Sequence, residues 1–128
     1  MLLDTTFLID FQRETTRRRP DRAYALLDAH PDALLRISAV TCGEIAEGLG
    51  DERPDAFEEL IRPFEVLDVT VATARAYGAL SRGLRQRGAP IGDNDIWIAA
   101  TALVHGLPLV SRDASHFGCI PGLRVLAY

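Results

Sequence analysis

Apolar positions fall along this chain in two patterns. Short dense runs occupy residues 1–3, 34–37, 64–69, 107–110 and 123–126, as buried parallel strands do. Longer segments carry apolar residues every three or four positions, which predicts helices over 5–14, 22–29, 40–49, 56–61, 72–86 and 94–105. The last of these is the clearest, with Ile96, Ala99, Ala100, Leu103 and Val104 on one face, so that Leu103 is expected in the core. A threonine is available to cap the first helix, and Pro20 with Asp21 leads into the second. Proline and glycine punctuate the chain at 20, 31, 48–54, 88–92, 106–108 and 118–122. Strands alternating with helices imply a central, mostly parallel sheet covered on both faces: a three-layer α/β domain over residues 1–128.

Acids recur where such a sheet builds its sites. Asp4 follows the first strand, Glu44 lies about a turn into the helix after the second, Asp95 opens the helix 94–105, and Asp113 follows the strand 107–110. Each therefore belongs near the carboxyl edge of the sheet, where ligands bind in open α/β folds. Each also has a plain structural use. Asp4 suits a helix cap, Asp95 a first-turn acid facing the helix dipole, Asp113 the start of a turn, and Glu44 a solvated face beside Glu47. Those uses do not explain why the acids gather at one end. Four clustered carboxylates stay ionised together only around a cation, and all-oxygen ligands favour Mg²⁺ or Mn²⁺. Such an ion activates water and stabilises the departing oxygen of a phosphodiester.

Charge and composition narrow the chemistry. All 14 basic residues are arginine, which excludes a Walker A phosphate loop, a Schiff-base lysine and a lysine general base. The net charge is 14 − 18 = −4, and without the four acids the remainder is neutral. His30 and His105 sit at predicted helix ends, so no serine–histidine–acid set is apparent; His116 has no assigned role. Cys42 and Cys119 lie 77 positions apart without metal-ligand spacing, as in a reduced compartment. The acidic start and the lack of any 18-residue apolar run argue against a signal peptide or a membrane span and for a cytoplasmic protein.

The segments LLDTTFLID, Val40-Thr-Cys-Gly-Glu44-Ile-Ala-Glu-Gly48, Ile91-Gly-Asp-Asn-Asp95-Ile-Trp-Ile-Ala-Ala100, Leu109-Val-Ser-Arg-Asp113 with His116-Phe117, and Ile120-Pro-Gly-Leu-Arg-Val125 resemble the PIN-domain ribonucleases. Within that family they look most like the VapC-type toxins of bacterial toxin–antitoxin pairs. The resemblance spans essentially the whole chain with its motifs in order. It implies a three-layer α/β/α PIN-like domain and a Mg²⁺- or Mn²⁺-dependent endoribonuclease. The catalytic acids are then Asp4, Glu44, Asp95 and Asp113, with Asp4, Asp95 and Asp113 on the metal. Thr6 and Ser111 match the family's supporting hydroxyl positions, and Asp93 is an additional acid that is either a further contact or a cap. The family also implies an RNA substrate, a homodimer and silencing by a cognate VapB-type antitoxin.

Three surface features bear on those partners. Arg13, Arg17, Arg18, Arg19 and Arg22 form a basic cluster that either tracks RNA phosphate or solvates a connection. Arg112, Arg13 and Arg17 are the candidates for substrate contact. Trp97 suits an interface or a slot between helices of the same domain. A PIN-like module that binds RNA or antitoxin without cutting is the alternative, weakened by the cost of keeping unused buried carboxylates. A phospho-acceptor receiver domain would need a lysine and an acidic pair that are missing here. An aspartate-nucleophile phosphatase would need a second aspartate two residues after Asp4.

Overall fold

The computed structural model describes residues 1–49 and 55–128. Part of the punctuated stretch 48–54 therefore lies outside the described residues. The elements follow in the order β1 (Leu2–Leu3), α1 (Thr5–Arg17), α2 (Arg22–Ala29), β2 (Arg36–Ser38), α3 (Ala39–Leu49), α4 (Asp55–Ile61), β3 (Glu65–Leu67), α5 (Val71–Gln86), α6 (Asp93–Val104), β4 (Leu109–Val110), α7 (Ala114–Phe117) and β5 (Val125–Leu126). The strands form one parallel sheet in the order β3-β2-β1-β4-β5. β1 is central, pairing Leu2 with Arg36 on one side and Leu2 and Leu3 with Leu109 and Val110 on the other. The chain winds outward from β1 to β3 and then crosses to β4, so the strand order reverses between β1 and β4. A parallel α/β sheet opens a crevice at that reversal.

The strand alternation builds two cores. Leu3, Ile37 and Val110 point to one face and meet Phe7, Leu8, Ala23, Leu26, Ile45 and Leu60 from α1 to α4. Leu2 and Leu109 point to the other and meet Leu84, Ile96, Ile98 and Ala99 from α5 and α6, with Phe117 from α7. The expected three-layer α/β/α architecture is what forms. Among the described residues no helix is long and apolar enough to cross a membrane.

Three details depart from the periodicity. α1 runs a turn beyond residue 14 and stops at Arg18, whose φ of 50° places it in the left-handed region. Residues 114–117 make an unexpected turn of helix, which the glycines from 118 onward concealed. α6 is buried over more than one stripe: Ile98 and Ala102 are as buried as Ile96 and Ala99, while Val104 is 39% exposed. Leu103 is only half-buried, at the edge of the second core. Leu103→Ala is therefore expected to cost less than the roughly 2–5 kcal/mol of a fully buried leucine. Urea denaturation would check this; a loss in that full range would place Leu103 in the core.

Candidate active site

The chain leaves β1 at the carboxyl edge of the sheet and turns directly into α1. Asp4 is the residue at that turn. It caps α1 from extended backbone (φ −80°, ψ 173°), its Oδ1 accepting the Phe7 N–H at 2.7 Å. Its backbone N–H donates to the Val110 carbonyl at 3.1 Å, which ties it to the end of the neighbouring strand β4. The residue is 4% exposed. Ser111, the residue after β4, lies close enough for its side chain to favour the ionised Asp4 carboxyl. Burial pushes the Asp4 carboxyl above its ordinary range, and the charge of Asp95 adds to that. Ser111, the Phe7 amide and the charge of Arg112 pull the other way without cancelling it.

Asp95 comes from the first turn of α6, where the helix dipole favours an acid. His116 Nε2 lies 3.0 Å from its Oδ2. A Cβ built on Gly92 would stand 3.2 Å from the same oxygen, so a glycine there leaves the carboxylate room. Asp93 is two residues away on the helix and so points elsewhere; it accepts the Tyr77 hydroxyl at 3.2 Å.

Glu44 lies on α3 between the two aspartates' neighbours. The Thr5 hydroxyl donates to its Oε2, and Asn94 Nδ2 donates to its Oε1 at 3.0 Å. The residue after Asp4 and the residue before Asp95 thus hold one carboxylate between them. The hydroxyl that reaches this acid is that of Thr5, not of Thr6.

Asp113 stands differently. Its carboxylate caps α7, accepting the His116 N–H at 3.0 Å and the Ser115 hydroxyl at 2.8 Å. Those two bonds hold it below the ordinary carboxylate range. Ser111 Oγ accepts the Asp113 N–H at 3.1 Å. Asp113 thereby fixes the helical turn that carries His116 to Asp95.

Among the described residues, no three His, Cys, Asp or Glu side chains gather closely enough to enclose a metal by themselves. The acids whose charges act on one another here are Asp4 and Asp95, both oxygen donors. Mg²⁺ commonly keeps several waters and takes one or two protein carboxylates, so this set fits such an ion better than a closed cage of side chains would. The mutual repulsion of the two acids, one of them buried, also calls for a cation.

The three candidate substrate arginines, Arg13, Arg17 and Arg112, line a single cavity of about 450 Å³. Trp97 stacks on Tyr77 of α5 with ring centroids 4.1 Å apart and planes 12° apart, so it fills a slot within the domain. His30 and His105 are the C-caps of α2 and α6, as their positions suggested.

Comparison with known proteins places this arrangement. The PIN domain model matches residues 1–118. Ribonuclease VapC4 of Mycobacterium tuberculosis is 32% identical over 132 residues, covering 98% of this chain and 94% of that protein. The chain is a PIN domain of the VapC family. Ribonuclease VapC1 of Haemophilus influenzae is 29% identical, with 96% and 93% covered. Among solved structures, DNA-bound VapBC from Salmonella typhimurium superposes with a TM-score of 0.84 at 27% identity, covering 98% of this chain and 96% of that one. VapBC-1 from nontypeable Haemophilus influenzae gives 0.80 at 27% identity, with the same coverage. The family resemblance and fold expected from the sequence therefore hold.

The sequence alone did not single out Thr5, Asn94 or His116. Thr5 and Asn94 each adjoin a residue already chosen, and His116 lies three residues after Asp113, the spacing at which a capping acid meets a helical N–H.

Proposed function

We propose that this VapC-family chain is a Mg²⁺- or Mn²⁺-dependent endoribonuclease whose metal is held by Asp4 and Asp95. The observation that carries the proposal is the buried Asp4, raised in pKa partly by Asp95, at the β1–β4 reversal of the sheet. What the cation supplies when bound is a water of lowered pKa and neutralisation of the phosphodiester charge. The chain's own residues prepare the place. Asp4 is fixed by its cap, and Asp95 is oriented by His116. Glu44 is braced by Thr5 and Asn94, the chain neighbours of Asp4 and Asp95. Asp113 acts through α7, positioning His116. Thr6 and Asp93 have supporting places at most.

The relatives named as ribonucleases and the superposable VapBC structures support RNA as substrate and a VapB-type antitoxin as partner. Association of the toxin with a second copy of itself belongs to the same proposal, and light scattering of the purified chain tests it. The central test is cleavage of a pool of single-stranded and structured RNAs with Mn²⁺, against EDTA and against Asp95→Asn. Cutting that needs both the metal and Asp95 supports the reading. Folded, antitoxin-free protein that binds Mn²⁺ or RNA but never cuts would instead favour the non-catalytic binding module.

A further inference from the structure

The cavity between α1 and α2 carries more arginine than the chemistry at Asp4 explains. Its cations are Arg13, Arg17, Arg19, Arg22 and Arg112. Against these five cations stand three acids, Asp10, Glu14 and Asp21, two of which are already engaged. Glu14 accepts the N–H groups of Asp21, Ala23 and Tyr24 at 2.8, 3.0 and 3.2 Å, which caps α2 in place of the Asp21 side chain. Asp10 is shared between Arg112, at 2.9 Å, and Arg13, at 3.8 Å. The Tyr128 hydroxyl donates to the same Asp10 oxygen at 3.0 Å, and the Tyr128 ring packs edge-on against Phe7. Among the described residues, Arg17, Arg19 and Arg22 form no ion pair. Arg112 stands at the end nearest the acids: it follows Ser111, and its charge is felt at Asp4.

The lining holds no aromatic and no large apolar side chain. It offers planar guanidinium forks, which match phosphate oxygens, and no aromatic ring on which a base would stack. A protein helix or strand docking here would bring apolar anchors that the cavity has no surface to receive. We propose that the cavity grips the sugar–phosphate backbone of RNA to one side of the cleaved bond, and that Asp10, steadied by Tyr128, sets that grip by competing with phosphate for Arg112 and Arg13. This rests on the ribonuclease reading above. Backbone contacts position a strand without reading its sequence, so the choice of cleavage site must come from elsewhere on the surface.

The test measures binding of fluorescein-labelled single-stranded RNAs of several sequences by anisotropy, in EDTA, across a series of salt concentrations. Arg17→Ala and Arg19→Ala are expected to weaken binding several-fold for every RNA and to lower the slope of log affinity against log salt by about 0.7 each. Arg75→Ala, on the exposed surface of α5, is expected to leave both unchanged. In cleavage with Mn²⁺, the two cavity variants should raise KM with kcat and cut positions unchanged. Asp10→Asn keeps a hydrogen-bond acceptor but removes the competing charge, and should bind RNA several-fold tighter. Wild-type protein that neither binds nor cuts RNA overturns the ribonuclease reading and this subsite together. Wild-type protein that does, with Arg17→Ala and Arg19→Ala indistinguishable from Arg75→Ala, overturns the subsite alone. Weakening confined to one RNA sequence overturns it too. Asp10→Asn binding no tighter than wild type removes the competing role of Asp10.

Discussion

Asp4→Asn is expected to abolish RNA cleavage while raising the melting temperature of the metal-free protein at neutral pH. The two effects share one cause. Asp4 is 4% exposed and feels the charge of Asp95, so ionising it costs free energy unless a cation is present. Asparagine caps a helix about as well as aspartate, so the bond to the Phe7 N–H survives the exchange. What is lost is the charge that would hold the ion, and with it at least the roughly 10²–10³-fold that one preorganised electrostatic contact is worth at an active site. What is gained is relief of the burial penalty; about 1 kcal/mol would appear as roughly 2–6 °C in Tm. The sign follows from the raised pKa. The wild-type penalty is absent below the ordinary carboxylate value near 3.9 and grows as pH rises from there to the raised folded value. The advantage of Asp4→Asn should therefore grow as pH rises above the ordinary carboxylate value and vanish as pH falls through it. Calorimetry in EDTA across pH checks this. A variant less stable than wild type at neutral pH would mean that the carboxylate is favoured where it lies.

Phe7→Ala is expected to cost about 3–5 kcal/mol, the largest stability loss anticipated for one substitution in this chain. Phe7 is fully buried. Its ring lies parallel to Phe11 at 6.3 Å and meets Tyr128 edge-on at 5.1 Å, so it joins α1 to the end of the chain. Its backbone N–H is also the one that Asp4 accepts. Truncating the side chain opens a cavity under the turn that positions the site acid. The loss should appear in urea denaturation, and a small cost would mean that the surrounding rings close the gap.

Much of this was legible in the sequence because local signals agreed with one another. The α/β alternation, both histidine C-caps and the placing of Asp4 and Asp95 at the carboxyl edge all follow from spacing. At Asp4 the cap is realised, and the same buried carboxylate feels the charge of Asp95, so the two uses read from the sequence are compatible. What stayed hidden depended on how distant segments meet. Nothing in the spacing says that Thr5 and Asn94 converge on Glu44, because those contacts span 39 and 50 residues. Asp113 read equally well as a ligand or as the start of a turn, and only the geometry of α7 turns it toward His116 and Ser115. The wide burial of α6 was masked by its small side chains: Ala99, Ala100 and Ala102 permit close packing that a stripe count does not register.

The pairing of Asp4 and Asp95 around a divalent cation is the claim on which the rest depends. Titration of Mn²⁺ into purified protein, followed by electron paramagnetic resonance of the free ion, tests it without any knowledge of the RNA. Wild-type protein should take up Mn²⁺, Asp4→Asn and Asp95→Asn should not, and Asp113→Asn should retain uptake because its carboxylate caps α7. Undiminished Mn²⁺ uptake by the folded Asp4→Asn and Asp95→Asn variants, or its loss in Asp113→Asn alone, would contradict the account.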